Sequence, residues 1–253
     1  MSVSRRPDAA RRTTARVGRP RAQGPSASGL EPREQVLAAA AALFTENGYA
    51  ATTTRAVAER AGLRQASMYH YFARKEDILA TLLESTVEPS LAFARALLAD
   101  TASSPQARLW ALAARDTELL FGGLSNLGAL YQLPEVRGER FARFRGARAD
   151  LRAAYGGLLA ASGHGGDDPE LAADLLLGLV EGGVAVAREP GGRTAPQVAR
   201  ALADAVLRYA GCSAGQRGAA RPEGERLLRE AAVSGAAGGT APRSPARPPA
   251  PAG

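Results

Sequence analysis

Residues 52–79, TTTRAVAERAGLRQASMYHYFARKEDIL, read as two short helices joined by a tight turn. The first has a polar start at Thr52 to Thr54, with Thr53 as the expected cap. Val57, Ala58 and Ala61 line one side of it, and Gly62 is where the chain must leave the helix. Gly62-Leu63-Arg64 is then the turn. The next helix, from about Gln65 to Phe72, can bury Met68 and Phe72, which are four residues apart. That leaves Gln65, Ala66, Ser67, Tyr69, His70 and Tyr71 on or near the outside. A helix so short and so polar is poorly explained as core, and the pattern predicts a helix-turn-helix with a DNA-reading outer face.

Ahead of this unit, Val36, Leu37, Ala40, Leu43 and Phe44 recur at helical spacing between Arg33 and Asn47, and Gly48 follows as a stop. Behind it, Lys75-Glu76-Asp77 opens a longer apolar-periodic run. The motifs F-x-x-x-G-Y-x-x-T-T, V-A-x-x-A-G-L and S-M-Y-H-Y-F-x-x-K-E-x-I-L follow one another in register from about Arg33 to Leu83. In these the chain resembles the N-terminal domain of the tetracycline-repressor (TetR) family of bacterial regulators. The resemblance implies an all-α fold, with a three-helix DNA-binding domain at 30–80 (helix-turn-helix about 54–73). A larger helical domain for effector binding and dimerisation follows at 81–210.

It further implies that Thr53, Thr54, Tyr69, Tyr71 and Lys75 contact the DNA backbone. Arg55, Arg64, Gln65, Ala66, Ser67 and His70 complete the DNA-binding set. Arg64 and Gln65 stand at the helix end that enters the major groove, where Gln pairs with adenine and Arg with guanine. One departure concerns Arg64, where the family usually has Ser or Thr. Without a side-chain oxygen cap the recognition helix loses on the order of 1 kcal/mol, while a cation is placed where DNA would lie.

The formal charge of +7 and pI near 10.3 suggest a polyanionic partner. The charge is not spread evenly. Residues 1–32 carry +5 and 212–253 carry +3, so 33–211 are left at −1. The case for DNA therefore rests on the helix-turn-helix pattern and not on pI. The single cysteine, Cys212, excludes an internal disulfide and fits a reducing compartment. The arginine-rich start has no apolar stretch after it, and no segment reaches the roughly 20 apolar residues that span a bilayer. A cytoplasmic protein with no membrane segment is expected.

Residues 1–29 and 211–253 are rich in Arg, Ala, Gly and Pro and are expected to be a disordered basic arm and a disordered tail. Arg16-Val17-Gly18-Arg19-Pro20-Arg21 is similar to an AT-hook, against the alternative of a solvated basic arm with nonspecific phosphate affinity. Between the arms only helical patterns occur, at 75–100, 105–122, near 126–131, 134–162, 169–188 and 195–210. With the three helices of the head this makes about nine.

In 169–188, Leu175 and Leu179 alternate with Gly182 and Gly183, small residues that admit another helix. With Leu202 and Val206 of 195–210 they form the expected homodimer interface, because a lone helix-turn-helix reads few base pairs; ordinary packing within the chain is the alternative. Phe93, Leu97, Trp110, Phe121, Tyr131, Phe144 and Tyr155 are candidates to line a pocket for a small-molecule effector; ordinary core packing is the alternative for each. Neither His70 nor His164 has a second ligand at metal spacing, and Cys212 lacks an ordered base. No metal, no cofactor and no catalytic residue is expected, with Asp168 read as a helix start. The reading is a repressor that leaves double-stranded operator DNA when an effector binds. The alternative is a DNA-organising protein of the same fold without an effector.

Overall fold

The computed structural model describes residues 29–122, 127–163, 168–188 and 193–237, and all described regular structure is helical. The head contains α1 (Pro32–Glu46), α2 (Thr54–Arg60) and α3 (Gln65–Tyr69). Gly48 and Gly62 turn the chain at φ +83° and +70°, a region that costs a Cβ-bearing residue strain. Thr53 caps α2 as expected, its Oγ1 accepting from the Ala56 N–H at 3.1 Å. Thr52 closes the turn after α1 by donating its hydroxyl to Gly48 O at 2.8 Å. Val36, Ala40, Phe44, Val57, Met68 and Phe72 form the head's core, with the Phe44 and Tyr49 rings packed edge to face at 5.0 Å.

The long helix α4 (Lys75–Ala99) leads out of the head. Ile78, Leu79, Leu82, Leu83, Val87, Leu91, Ala94 and Leu97 make one buried stripe along it at helical spacing. The expected domain boundary at 80–81 falls inside that stripe, so head and body share a continuous apolar core. The body adds α5 (Pro105–Gly122), α6 (Ala142–Ala161), α7 (Pro169–Arg188), α8 (Ala195–Tyr209) and α9 (Ala214–Ala237). At its centre, α5 touches α4, α6, α7, α8 and α9. It is buried from Leu109 to Ala114 without interruption, as a helix surrounded by helices must be. Asp168 starts α7 as expected, its Oδ1 accepting from Leu171 N–H at 3.0 Å.

Nine α-helices stand among the described residues, the expected number reached by a different route. The segment read as one helix over 134–162 divides into 3₁₀ turns at Pro134–Arg137 and Glu139–Phe141, followed by α6. Gly138 takes extended backbone between the turns, and Arg145 Nη1 gathers the carbonyls of Val136 and Gly138. The piece near 126–131 is likewise a 3₁₀ helix, Leu127–Gln132.

The larger correction is at the C-terminus, where 214–237 is helix α9 packed on α5 and α8 and not a disordered tail. Small residues make that docking: a Cβ on Gly224 would lie 2.5 Å from Trp110 Cε3 and 3.1 Å from Ala107 O. Helix backbone thus sits directly on the indole, with Ala220 and Leu227 buried on either side. A capping box starts α9, with Ser213 N–H donating to Gln216 Oε1 at 2.8 Å and Gln216 N–H to Ser213 Oγ at 3.3 Å. Cys212 lies buried in the turn before it, and burial pushes its thiol up. The expected disorder of 1–28 and 238–253, with the AT-hook-like run, lies outside the described residues.

Candidate functional site

On the head, α2 and α3 present a connected polar surface. Gln65 Nε2 reaches Thr54 Oγ1 at 3.3 Å and Tyr69 Oη at 3.4 Å, and those two hydroxyls are 3.2 Å apart. Thr53, Arg55, Arg64, Gln65, Ala66, Tyr69, His70 and Tyr71 are exposed, whereas Thr54 and Ser67 are half-buried. Arg55 is paired with Glu59 at 2.8 Å, an i,i+4 contact in open solvent that DNA can displace at little cost. Arg64 sits at the start of α3 with no side-chain cap, as its identity requires, and its guanidinium is exposed.

Lys75, expected to contact phosphate, turns inward in the DNA-free head. Its Nζ donates to Tyr49 O at 2.8 Å and Thr52 O at 2.9 Å and lies 4.2 Å from the Tyr49 ring centroid. Here the ammonium fastens the start of α4 to the α1–α2 connection. Burial lowers its pKa, against an opposing pull from Glu135. The same environment, burial first and then Glu76 and Glu135, pushes the Tyr49 phenol up to about 12.

The proposed pocket residues are dispersed. Trp110 is wholly buried against α9, with Nε1 donating to Asp204 Oδ1 at 2.8 Å. Phe93 and Leu97 border an outer groove between α4 and α9 together with Leu227. The side chain of Phe121 lies outside the described residues. Of the described candidates, Tyr131 and Tyr155 reach the polar centre of the body, while Phe144, its ring 5.1 Å from that of Tyr131, lines a neighbouring cavity of about 280 Å³.

That centre holds a cavity of about 20 Å³, room for one water. Its polar groups arrive from five elements: Thr86 and Ser90 on α4, Asp116 on α5, Tyr131 on the 3₁₀ segment, Arg148 on α6 and Glu181 on α7. Arg148 and Glu181 form a two-pronged ion pair at 2.9 and 2.8 Å. Tyr155 donates to Asp116 Oδ2 at 2.8 Å, while Asp116 Oδ1 is buried with no partner. Burial pushes the Asp116 carboxyl up to about 6, and the Ser90 and Tyr155 hydroxyls pull against that rise. Sequence reasoning missed Asp116. The signal was there, a carboxylate on the face of α5 that carries Leu109, Ala113 and Leu120.

The dimer candidates also separate. A Cβ on Gly183 would stand 2.1 Å from Leu202 Cδ1, so these two pack α7 on α8 within the chain, and Val206 is wholly buried in the core of the same chain. Leu171, Leu175, Gly178, Gly182 and Val186 instead form an exposed stripe at helical spacing, with nothing within 4 Å of a Cβ placed on either glycine. Leu179 is half-buried beside it. No helix among the described residues is long and apolar enough to cross a membrane.

The sequence profile for "Bacterial regulatory proteins, tetR family" matches residues 36–82, which are α1 to α3 and the start of α4. The crystal structure of Mycobacterium smegmatis AmtR is 41% identical, covers 81% of this chain and 98% of its own, and superposes with a TM-score of 0.70. The ketosteroid regulator KstR2 of Mycobacterium tuberculosis is 26% identical in its solved structure, which covers 72% of this chain and 94% of its own at a TM-score of 0.60. In sequence, the HTH-type transcriptional repressor KstR2 of that organism is 39% identical over 80 residues, 32% of this chain and only 40% of the repressor's length. The chain belongs to the TetR family of bacterial regulators.

Proposed function

We propose that this protein is a transcriptional repressor that binds operator DNA as a two-fold dimer through α2 and α3 and is released by a small-molecule effector held in its helical body. The observation that carries the DNA reading is the surface Thr54–Gln65–Tyr69 cluster, with Gln65 and Tyr69 exposed, beside the uncapped Arg64 at the N-terminal end of α3. Gln and Arg at that end have the donor and acceptor geometry for base edges, and the tyrosine and threonine hydroxyls suit phosphate oxygens. The apolar stripe on α7 supports the dimer, since a helix-length row of exposed leucine, valine and glycine favours burial against a second copy.

Release needs an effector that prefers the DNA-incompetent arrangement, because equal affinity for both states shifts nothing. The route from body to head runs along α4. Arg140 bonds Asp77 at 2.7 Å, Arg143 engages Glu84 and Glu88, and the 3₁₀ segment bearing Tyr131 packs on both α1 and α4.

Footprinting on the intergenic region upstream of the gene tests the reading. A protected two-fold symmetric sequence, weakened in Gln65→Ala, supports it. The second reading, a DNA-organising protein with no effector, is favoured by the small free volume at the polar centre, about 20 Å³. Even coverage of unrelated DNA, with no preferred site, would establish that alternative.

A further inference from the structure

We infer that the cavity around Asp116 binds a compact organic cation, a primary ammonium on a short apolar chain. This rests on the reading of the body as the effector domain and gives the effector its chemical class. The first support is the unpartnered Asp116 Oδ1, an acceptor sealed from solvent and lining a cavity. A buried carboxylate oxygen without a donor is costly to the fold, so a donor entering the cavity removes a penalty that the free protein carries.

The second support is the charge of the lining. Arg148 and Glu181 neutralise each other through two hydrogen bonds, which leaves Asp116 as the one carboxylate of the lining with no ion-pair partner, offset only by the field of Arg115. A monocation balances it, whereas an anion would add a further negative charge beside Asp116 and Glu181. Tyr155 already holds the other oxygen, Oδ2, in place, so the cation meets an oriented acceptor.

The third support is the remaining wall. Val87, Leu120, Leu151, Leu177 and Val180 surround the polar groups and offer apolar contact to a short alkyl chain once the cavity widens. The cavity must widen to admit one, and the lining groups Arg148, Glu181 and Tyr131 are partly open to solvent. Tyr131 bonds Thr86 on α4, so displacing it would act on the helix that carries the head.

Full-length protein titrated with propylammonium to hexylammonium, and with the alcohol and carboxylate of each chain length, tests this by calorimetry and thermal shift. One of the ammonium ions should bind saturably, at least 10-fold more tightly than its alcohol or carboxylate, and at least 10-fold more weakly in Asp116→Asn. Ser90→Ala, a milder change, should weaken the same ion less, and circular dichroism checks that both variants fold. Equal binding of alcohol and ammonium, undiminished binding in Asp116→Asn, or no binding by any of the ions would overturn the inference, the last leaving an ordered water as the occupant. Operator affinity measured alongside separates the two claims. An ammonium that binds the cavity without weakening operator binding keeps the site and sinks effector release; release by a neutral or anionic compound does the reverse.

Discussion

Tyr69 on the head and Tyr155 in the body are the same side chain in two clusters of hydroxyl, amide and carboxyl groups, the first 45% exposed and the second fully buried. Around Tyr69, the hydroxyl of Thr54 and the amide of Gln65 can trade each other for water, phosphate or a base edge with little change in desolvation. Around Tyr155, the partners are locked. Its phenol is held well above its ordinary pKa by burial and the nearby Asp116 charge, so it remains a donor, and that carboxylate keeps one oxygen unanswered. An outward polar cluster costs the fold almost nothing and is free to read a partner. An inward one lowers stability and asks for a reason to be there.

The largest expected effect would show how far the body relies on apolar contact to carry its inward cluster. Trp110→Ala should destabilise the protein by about 3–5 kcal/mol by opening a cavity under Gly224. Hydrogen exchange should then rise across 214–237 before it rises in the head. Equal loss of protection in α1 would mean that α9 is not docked through the indole.

Asp116→Asn sharpens the contrast directly. The carboxyl is raised from 3.8 to about 6, so between those values the folded state keeps a proton that the unfolded chain has released. Wild-type stability therefore falls as pH rises through that window, by about 3 kcal/mol. Denaturation midpoints of the two proteins should nearly coincide below pH 4 and diverge above pH 6, with the variant more stable. A constant difference across pH would remove Asp116 as the source.

On the outward side, Gln65→Ala should leave the melting temperature nearly unchanged and relax discrimination at one base pair per half-site by about 1–3 kcal/mol. Competition between operator variants measures this, and unchanged relative affinities would exclude Gln65 as a reader. The smallest effect separates Arg64 from Lys75. Arg64→Ala should reduce the slope of log affinity against log salt by about one unit. Lys75→Ala should leave that slope alone and loosen the head by about 1–3 kcal/mol, because its ammonium already answers two carbonyls. A slope change in Lys75→Ala would restore it to the phosphate contacts.

The head was legible from sequence because its determinants are local. Thr53 caps within three residues, Gly48 and Gly62 supply positive φ, and Met68 and Phe72 are one turn apart. The long helices of the body were legible for the same reason, their apolar residues repeating along a single helix face. Helix α9 had a local sign, the Ser213–Gln216 box, but no apolar period, since Ala220 and Gly224 dock by being small. Only the tertiary structure decided that Lys75 turns back onto Tyr49 and Thr52, that Gly183 and Val206 pack inside the chain, and that Asp116 meets Tyr155 and faces Glu181. Residues 86, 90, 116, 131, 148, 155 and 181 converge through the way separate helices cross, and no spacing along the chain records where helices cross.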